Sequence, residues 1–151
     1  MKASELMTPQ PACCTPGDSI QDAARQMDSY DVGSLPVVEG GDNTRIVGIV
    51  TDRDIAVRAV AAGRFDARVA DVMSPNPSTV REDDDVGMVS RLMAEQQVRR
   101  IPVVNGKGAV VGMIAQADLA LRDGPIGDRE VGQVVERISE PEGAGARPAR
   151  T

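Results

Sequence analysis

Apolar and polar positions fall into blocks that occur twice along the chain. Ile20, Ala23, Ala24 and Met27 are spaced three and four apart, the period of a helix with one buried face. The same spacing returns at Val86, Val89 and Met93. Asp18 and Asp84 stand just before these segments, where a carboxylate suits the exposed amides of a helix start. Each helix is followed by two β-branched runs. In the first copy these are Leu35-Pro36-Val37-Val38 and Ile46-Val47-Gly48-Ile49-Val50; in the second, Ile101-Pro102-Val103-Val104 and Val110-Val111-Gly112-Met113-Ile114. Glycine-rich polar connectors, Gly40-Gly41-Asp42-Asn43 and Asn105-Gly106-Lys107-Gly108, predict a hairpin of variable length between two buried strands. Brief strands are expected around residues 12–15 and 78–81. Second helices are expected to begin near Asp52 and Gln116 and to stop at Gly63 and Gly124.

The blocks keep their order and nearly their spacing. Glu5-Leu6-Met7-Thr8-Pro9 returns as Asp71-Val72-Met73-Ser74-Pro75, 66 residues on, and Leu35-Pro36 returns as Ile101-Pro102 at the same offset. Gly48 returns as Gly112, 64 residues on, because the second connector is two residues shorter. The fold expected is therefore α+β: a β-α-β-β-α unit in tandem, packed with pseudo-twofold symmetry. The expected boundaries are repeat 1 at 1–63, a connector at 64–68 and repeat 2 at 69–124. A short C-terminal helix at 125–140 carries Val131, Val134, Val135 and Ile138, and a flexible tail occupies 141–151. A unit of about 60 residues has a marginal core alone, so the two copies are expected to pack together and leave clefts suited to small ligands.

Composition narrows the chemistry. The 151 residues carry 17 basic and 23 acidic side chains, a net charge of −6, which argues against a general nucleic-acid binder. No histidine is present, which removes the usual general base near neutral pH and the commonest metal ligand, so an enzyme is not expected. The longest apolar runs fall far short of a membrane span, and the start of the chain lacks a signal-peptide core; a soluble, cytoplasmic protein is expected. Cys13 and Cys14 are adjacent, a poor geometry for a disulfide with each other. The seven methionines are expected mostly in the core, and the acidic run Glu82-Asp83-Asp84-Asp85 as a solvated helix start.

Leu-Pro-Val-Val followed by Ile-Val-Gly-Ile-Val-Thr-Asp-Arg-Asp-Ile resembles the CBS domain. The tandem pair, over residues 1–122, is similar to a Bateman module of the stand-alone bacterial kind, such as the mycobacterial hypoxic-response-type proteins. The resemblance implies a non-enzymatic regulatory sensor. It would bind an adenosine-containing ligand (AMP, ADP, ATP, NAD or S-adenosylmethionine) in the cleft between the repeats and signal to a regulated protein. It also implies a homodimer. In this family a Thr/Ser-x-x-Asp motif enters the second helix, its carboxylate taking the ribose hydroxyls and its hydroxyl and nearby amides meeting phosphate. Repeat 1 matches with Thr51, Arg53 and Asp54; repeat 2 has Ala115-Gln116-Ala117-Asp118, which keeps Asp118 and loses the hydroxyl. Before the Pro-Val strand repeat 1 has Gly33-Ser34 and repeat 2 has Arg99-Arg100, which implies phosphate contact by Arg100.

Other readings use the same residues. Thr51 with Asp54 is also a capping-box pattern that stabilises a helix unaided, and paired arginines are an ordinary solvated patch. The chain is then a ligand-free structural or protein-interaction dimer. A further alternative is a thiol-responsive protein acting through Cys13 and Cys14.

Overall fold

The computed structural model describes residues 1–42 and 44–121; the expected stop at Gly124, the helix at 125–140 and the tail at 141–151 lie outside the described residues. In chain order the elements are α1 (Ala3–Leu6), β1 (Thr8–Pro9), α2 (Ile20–Tyr30), β2 (Ser34–Glu39) and β3 (Arg45–Thr51). Then come α3 (Asp52–Asp54, running on as a π-helical stretch over Ile55–Val60), α4 (Val69–Val72), β4 (Ser74–Pro75) and β5 (Val80–Arg81). α5 (Val86–Gln96), β6 (Arg100–Val104), β7 (Val110–Ala115) and α6 (Gln116–Leu121) complete the described chain. No helix among the described residues is long and apolar enough to cross a membrane.

Two compact units form. One combines residues 11–77 with 107–110, and its sheet runs β2-β3-β4. The other combines residues 1–10, 78–106 and the described chain from 111, and its sheet runs β1-β7-β6-β5. Neither unit coincides with one sequence repeat. The lead segment of each repeat, α1-β1 or α4-β4, belongs to the unit built from the body of the other repeat. The first unit's core joins Ile20, Ala23, Met27, Leu35, Val37 and Val50 to Val69 and Val72; the second joins Val86, Val89, Met93, Ile101 and Ile114 to Ala3 and Leu6.

The lead helices are seated by their own backbone needs. A helix start leaves amides without intrahelical partners. Val69 and Ala70 N–H donate to the carbonyls of Asp18 and Pro16 at 2.8 and 3.0 Å, and Ala3 and Ser4 N–H donate to those of Asp84 and Glu82 at 2.8 and 2.9 Å. The accepting turns are shaped by carboxylates. Asp18 Oδ2 accepts from Thr15 N–H at 2.9 Å, and Asp84 Oδ2 from Arg81 N–H at 2.7 Å. The expectation that these two acids cap the following helices is thereby corrected. Ser19 caps α2 by accepting from Asp22 N–H, and Asp85 caps α5 by accepting from Gly87 N–H.

Two further expectations change. Ala24 is exposed, because the buried stripe of α2 is narrower than its apolar spacing suggests. Of the methionines only Met27 and Met93 are buried, whereas Met88 is 40% exposed. Met7 and Met73 are half-buried lids over glycines. A Cβ on Gly48 would sit 2.6 Å from Met73 Sδ and 3.0 Å from the Ser74 carbonyl oxygen, and one on Gly112 would collide with Met7. Here the recurring glycine inside each β-branched run is explained: it admits the lead segment of the other repeat. The helix expected to stop at Gly63 ends earlier, at Val60, and Gly63 at φ +73° closes the turn that follows.

Gly48→Ala should therefore lower stability by about 1–3 kcal/mol through overpacking. Met73→Ala in the same chain should recover part of that loss, a coupling read from urea-denaturation midpoints of the two single variants and the double.

Candidate functional site

The first junction of interest is where β3 turns into α3. Thr51 ends the strand in extended conformation, and its Oγ1 accepts from Asp54 N–H at 3.0 Å. Asp54 Oδ2 in return accepts from Thr51 N–H at 3.0 Å. The capping box expected as an alternative reading is thus present in full. The Asp54 side chain is only 15% exposed, and its Oδ1 lies 3.8 Å from Arg58 Nε. A carboxylate offers about four lone-pair positions, so one amide bond and a long ion pair leave capacity for a vicinal diol. The neighbouring amides differ from expectation. Asp52 N–H donates to the Gly33 carbonyl at 3.0 Å and Arg53 N–H to Asp52 Oδ1 at 2.8 Å, so each is already engaged within the chain. Of these, only the solvent-exposed, one-residue Asp52 contact is cheap to exchange for an anion. The Arg53 side chain is exposed.

The second junction repeats the frame without the hydroxyl. Asp118 Oδ2 accepts from Ala115 N–H at 2.8 Å, and Gln116 N–H donates to the Arg99 carbonyl at 2.8 Å, as Asp52 does to Gly33. Arg100 follows as the one exposed residue of β6, next in the chain to the Arg99 carbonyl that this junction engages. Thr51, Arg53 and Asp54 are therefore brought together in one unit, and Arg100 and Asp118 in the other.

Two residues at the first junction escaped sequence reasoning. Ser34 opens β2 directly opposite Thr51; it is buried, and its hydroxyl has no hydrogen-bond partner among the described residues. Only the strand register reveals that neighbour. Arg58 is the other, and it did leave a signal: an arginine four residues after the key aspartate occurs in both repeats, at Arg58 and at Arg122. Arg122 lies outside the described residues.

The cysteines point apart. Cys13 Sγ faces the Pro11 carbonyl at 3.3 Å, whereas Cys14 is buried with Sγ 3.8 Å from the Pro36 carbonyl. Burial raises the Cys13 thiol above its ordinary value. Burial first, then the charges of Asp18 and Cys13, push Cys14 up to about 12 from 9.0. Both thiols are thus held protonated near neutral pH, and the thiolate needed for exchange chemistry is scarce. Since folding raises the Cys14 pKa, its contribution to stability is complete below about pH 9 and declines as pH rises toward 12. Cys14→Val should flatten part of that alkaline decline in urea midpoints, and in the native chain Cys14 should resist thiol reagents that label it readily once unfolded.

Among the described residues no group of three His, Cys, Asp or Glu side chains is placed to hold a metal ion. Known proteins resemble this chain over nearly its whole length. The uncharacterized protein YlbB of Bacillus subtilis is 37% identical over 140 residues, covering 92% of each chain. A crystal structure of hypoxic response protein I with two coordinated zinc ions superposes with a TM-score of 0.72 at 31% identity, covering 83% of this chain and all of that one. The CBS domain protein PAE2072 of Pyrobaculum aerophilum, complexed with AMP, gives 0.75 at 27% identity over 82% and 93% of the two chains. The CBS domain pair of protein MJ0100, in complex with 5-methylthioadenosine and S-adenosyl-L-methionine, gives 0.71 at 27% identity over 80% and 93%. The CBS domain model matches twice, at residues 3–60 and 69–123. This chain belongs to the CBS domain family and carries the domain as a pair.

Proposed function

We propose that this protein is a non-catalytic regulatory module that binds an adenosine-containing ligand, with the ribose hydroxyls held by Asp54. The observation that carries the reading is the half-buried Asp54 carboxylate, pinned at a strand-to-helix junction with acceptor positions to spare. Solved CBS relatives in complex with AMP or S-adenosyl-L-methionine support the ligand class. Thr51, Arg53 and the unpartnered Ser34 hydroxyl supply polar contacts around the ribose and phosphate. Arg100 supplies a guanidinium for phosphate, and Asp118 is a second, weaker ribose position lacking the hydroxyl. In this reading the protein works in the cytoplasm as a homodimer and passes ligand occupancy to a regulated protein, because the ligand stabilises one packing arrangement over another.

A second reading has an observation of its own. Asp54 and Asp118 accept the backbone N–H three residues earlier, and Glu5, Asp18, Asp71 and Asp84 do the same. The junction acids then serve only as locks, in a protein-interaction module without ligand.

Asp54→Asn separates the two, since the amide oxygen still accepts from Thr51 N–H but loses the charge that strengthens a diol contact. A ligand at 100 times its Kd stabilises by about 2.7 kcal/mol, roughly 5–10 °C in Tm for a chain of this size. Among AMP, ADP, ATP, NAD and S-adenosylmethionine, at least one should raise Tm by that amount in the unaltered protein. Asp54→Asn should abolish the rise with little change in basal Tm, and Asp118→Asn should keep it. No rise with any of the five leaves the lock-only reading.

A further inference from the structure

The Arg58 side chain meets both the candidate ribose carboxylate and the lead segment of the second repeat. Its Nε lies 3.8 Å from Asp54 Oδ1. Its Nη1 donates to the Val72 carbonyl at 3.0 Å and reaches the Met73 carbonyl at 3.5 Å. Those carbonyls end α4, where the helix dipole favours a cation and where the acceptors have no intrahelical donors. Met73 is also the residue closed over Gly48 of β3, and β4, immediately after it, pairs with the same strand at Gly48 and Ile49. A single guanidinium therefore spans from Asp54 to the piece of chain through which the polypeptide leaves this unit.

An exposed i,i+4 ion pair contributes little by itself, and Arg58 is half exposed. Its planar fork, however, offers five donors in fixed relative geometry, so a shift at Nε is carried to Nη1. The 3.8 Å separation at Asp54 is longer than a hydrogen bond, whereas the carbonyl contact at 3.0 Å is already made. The contact that ligand binding can still change is thus the one at the carboxylate.

We infer that Arg58 is a positioning residue that couples occupancy of Asp54 to the firmness of the segment 69–76. The inference rests on the ribose reading of Asp54. Hydroxyl donors on Asp54 redistribute its acceptor positions and hold the carboxylate still. Arg58 follows and fixes the end of α4. The amides that report this are those of Val69, Met73 and Asn76, which donate to Asp18, Val69 and Val47 carbonyls.

The test is hydrogen exchange of the full chain with and without saturating AMP, alongside calorimetric AMP titration, for the unaltered protein, Arg58→Gln and Arg58→Lys. AMP should slow exchange in the peptide covering 69–76 by about fivefold or more, the low end of ordinary coupling between sites. Arg58→Gln should still bind AMP with a Kd within about tenfold of the unaltered value, the loss of a single contact, yet show no AMP-dependent slowing in 69–76. Arg58→Lys, which retains a cation able to meet the carbonyls, should restore part of it. If Arg58→Gln or Arg58→Lys is poorly folded by circular dichroism, the other variant carries the comparison. Undiminished slowing in Arg58→Gln overturns the coupling while leaving the ribose reading intact. Absence of binding of AMP, ADP, ATP, NAD and S-adenosylmethionine alike to the unaltered protein overturns both; where one of the other four binds and AMP does not, that ligand replaces AMP in the exchange experiment, and the calorimetric arm tells these results apart.

Discussion

Two amides at the start of each lead helix find their acceptors only in the turn of the other repeat, and the architecture follows from that exchange. An unsatisfied backbone amide costs about 1–3 kcal/mol when buried, and Ala3 and Val69 are fully buried, so these donors are a strong constraint on a chain of marginal total stability. The accepting turns are held open for them by Asp18 and Asp84, whose carboxylates close back on Thr15 and Arg81. The methionine that follows each lead helix then lies over a glycine of the receiving sheet. Seating, turn and glycine form one device, used twice, and each core is completed by apolar residues from the other repeat's lead.

The same carboxylate chemistry serves the junctions where ligand recognition is proposed. Six acids accept the amide three residues earlier, three in each repeat at matching positions. Such a lock uses one acceptor position of a carboxylate that has about four. At Asp54 the lock is reciprocal, because Thr51 returns a hydroxyl; at Asp118 it is one-sided, because residue 115 is alanine. The first junction is therefore more rigidly pre-organised, and a rigid acceptor loses less on binding than a mobile one. Arg58 adds a connection from that acceptor to the lead segment, the route along which the coupling is proposed.

Much of this was legible in the chain itself. The helices over 20–30 and 86–96 show in their three- and four-residue apolar spacing, and the hairpins in their β-branched runs around glycine-rich connectors, because those periods are local properties of the backbone. Asp54 and Asp118 were legible through motif position. Ser34 was not, since its place at the junction comes from pairing with Thr51, seventeen residues away. The identity of the caps was not legible either: Asp18 and Asp84 look like N-caps one position early, and only the turn geometry reveals that they serve the loop.

By itself the sequence determined that there are two copies of one α+β unit, where their helices and strands fall, and which junction carries a full hydroxyl-and-acid motif. These are consequences of local periodicity and repetition, which need no knowledge of partners in space. The tertiary structure alone decided that the copies exchange their lead segments, that the glycines in β3 and β7 exist to admit a methionine, and that burial raises both thiols above their ordinary value. The reason is common to all three. Each depends on which atoms meet after the chain has folded back, and no run of neighbouring residues encodes the identity of partners that lie 25 to 105 positions apart, as Gly48 and Met73 or Met7 and Gly112 do.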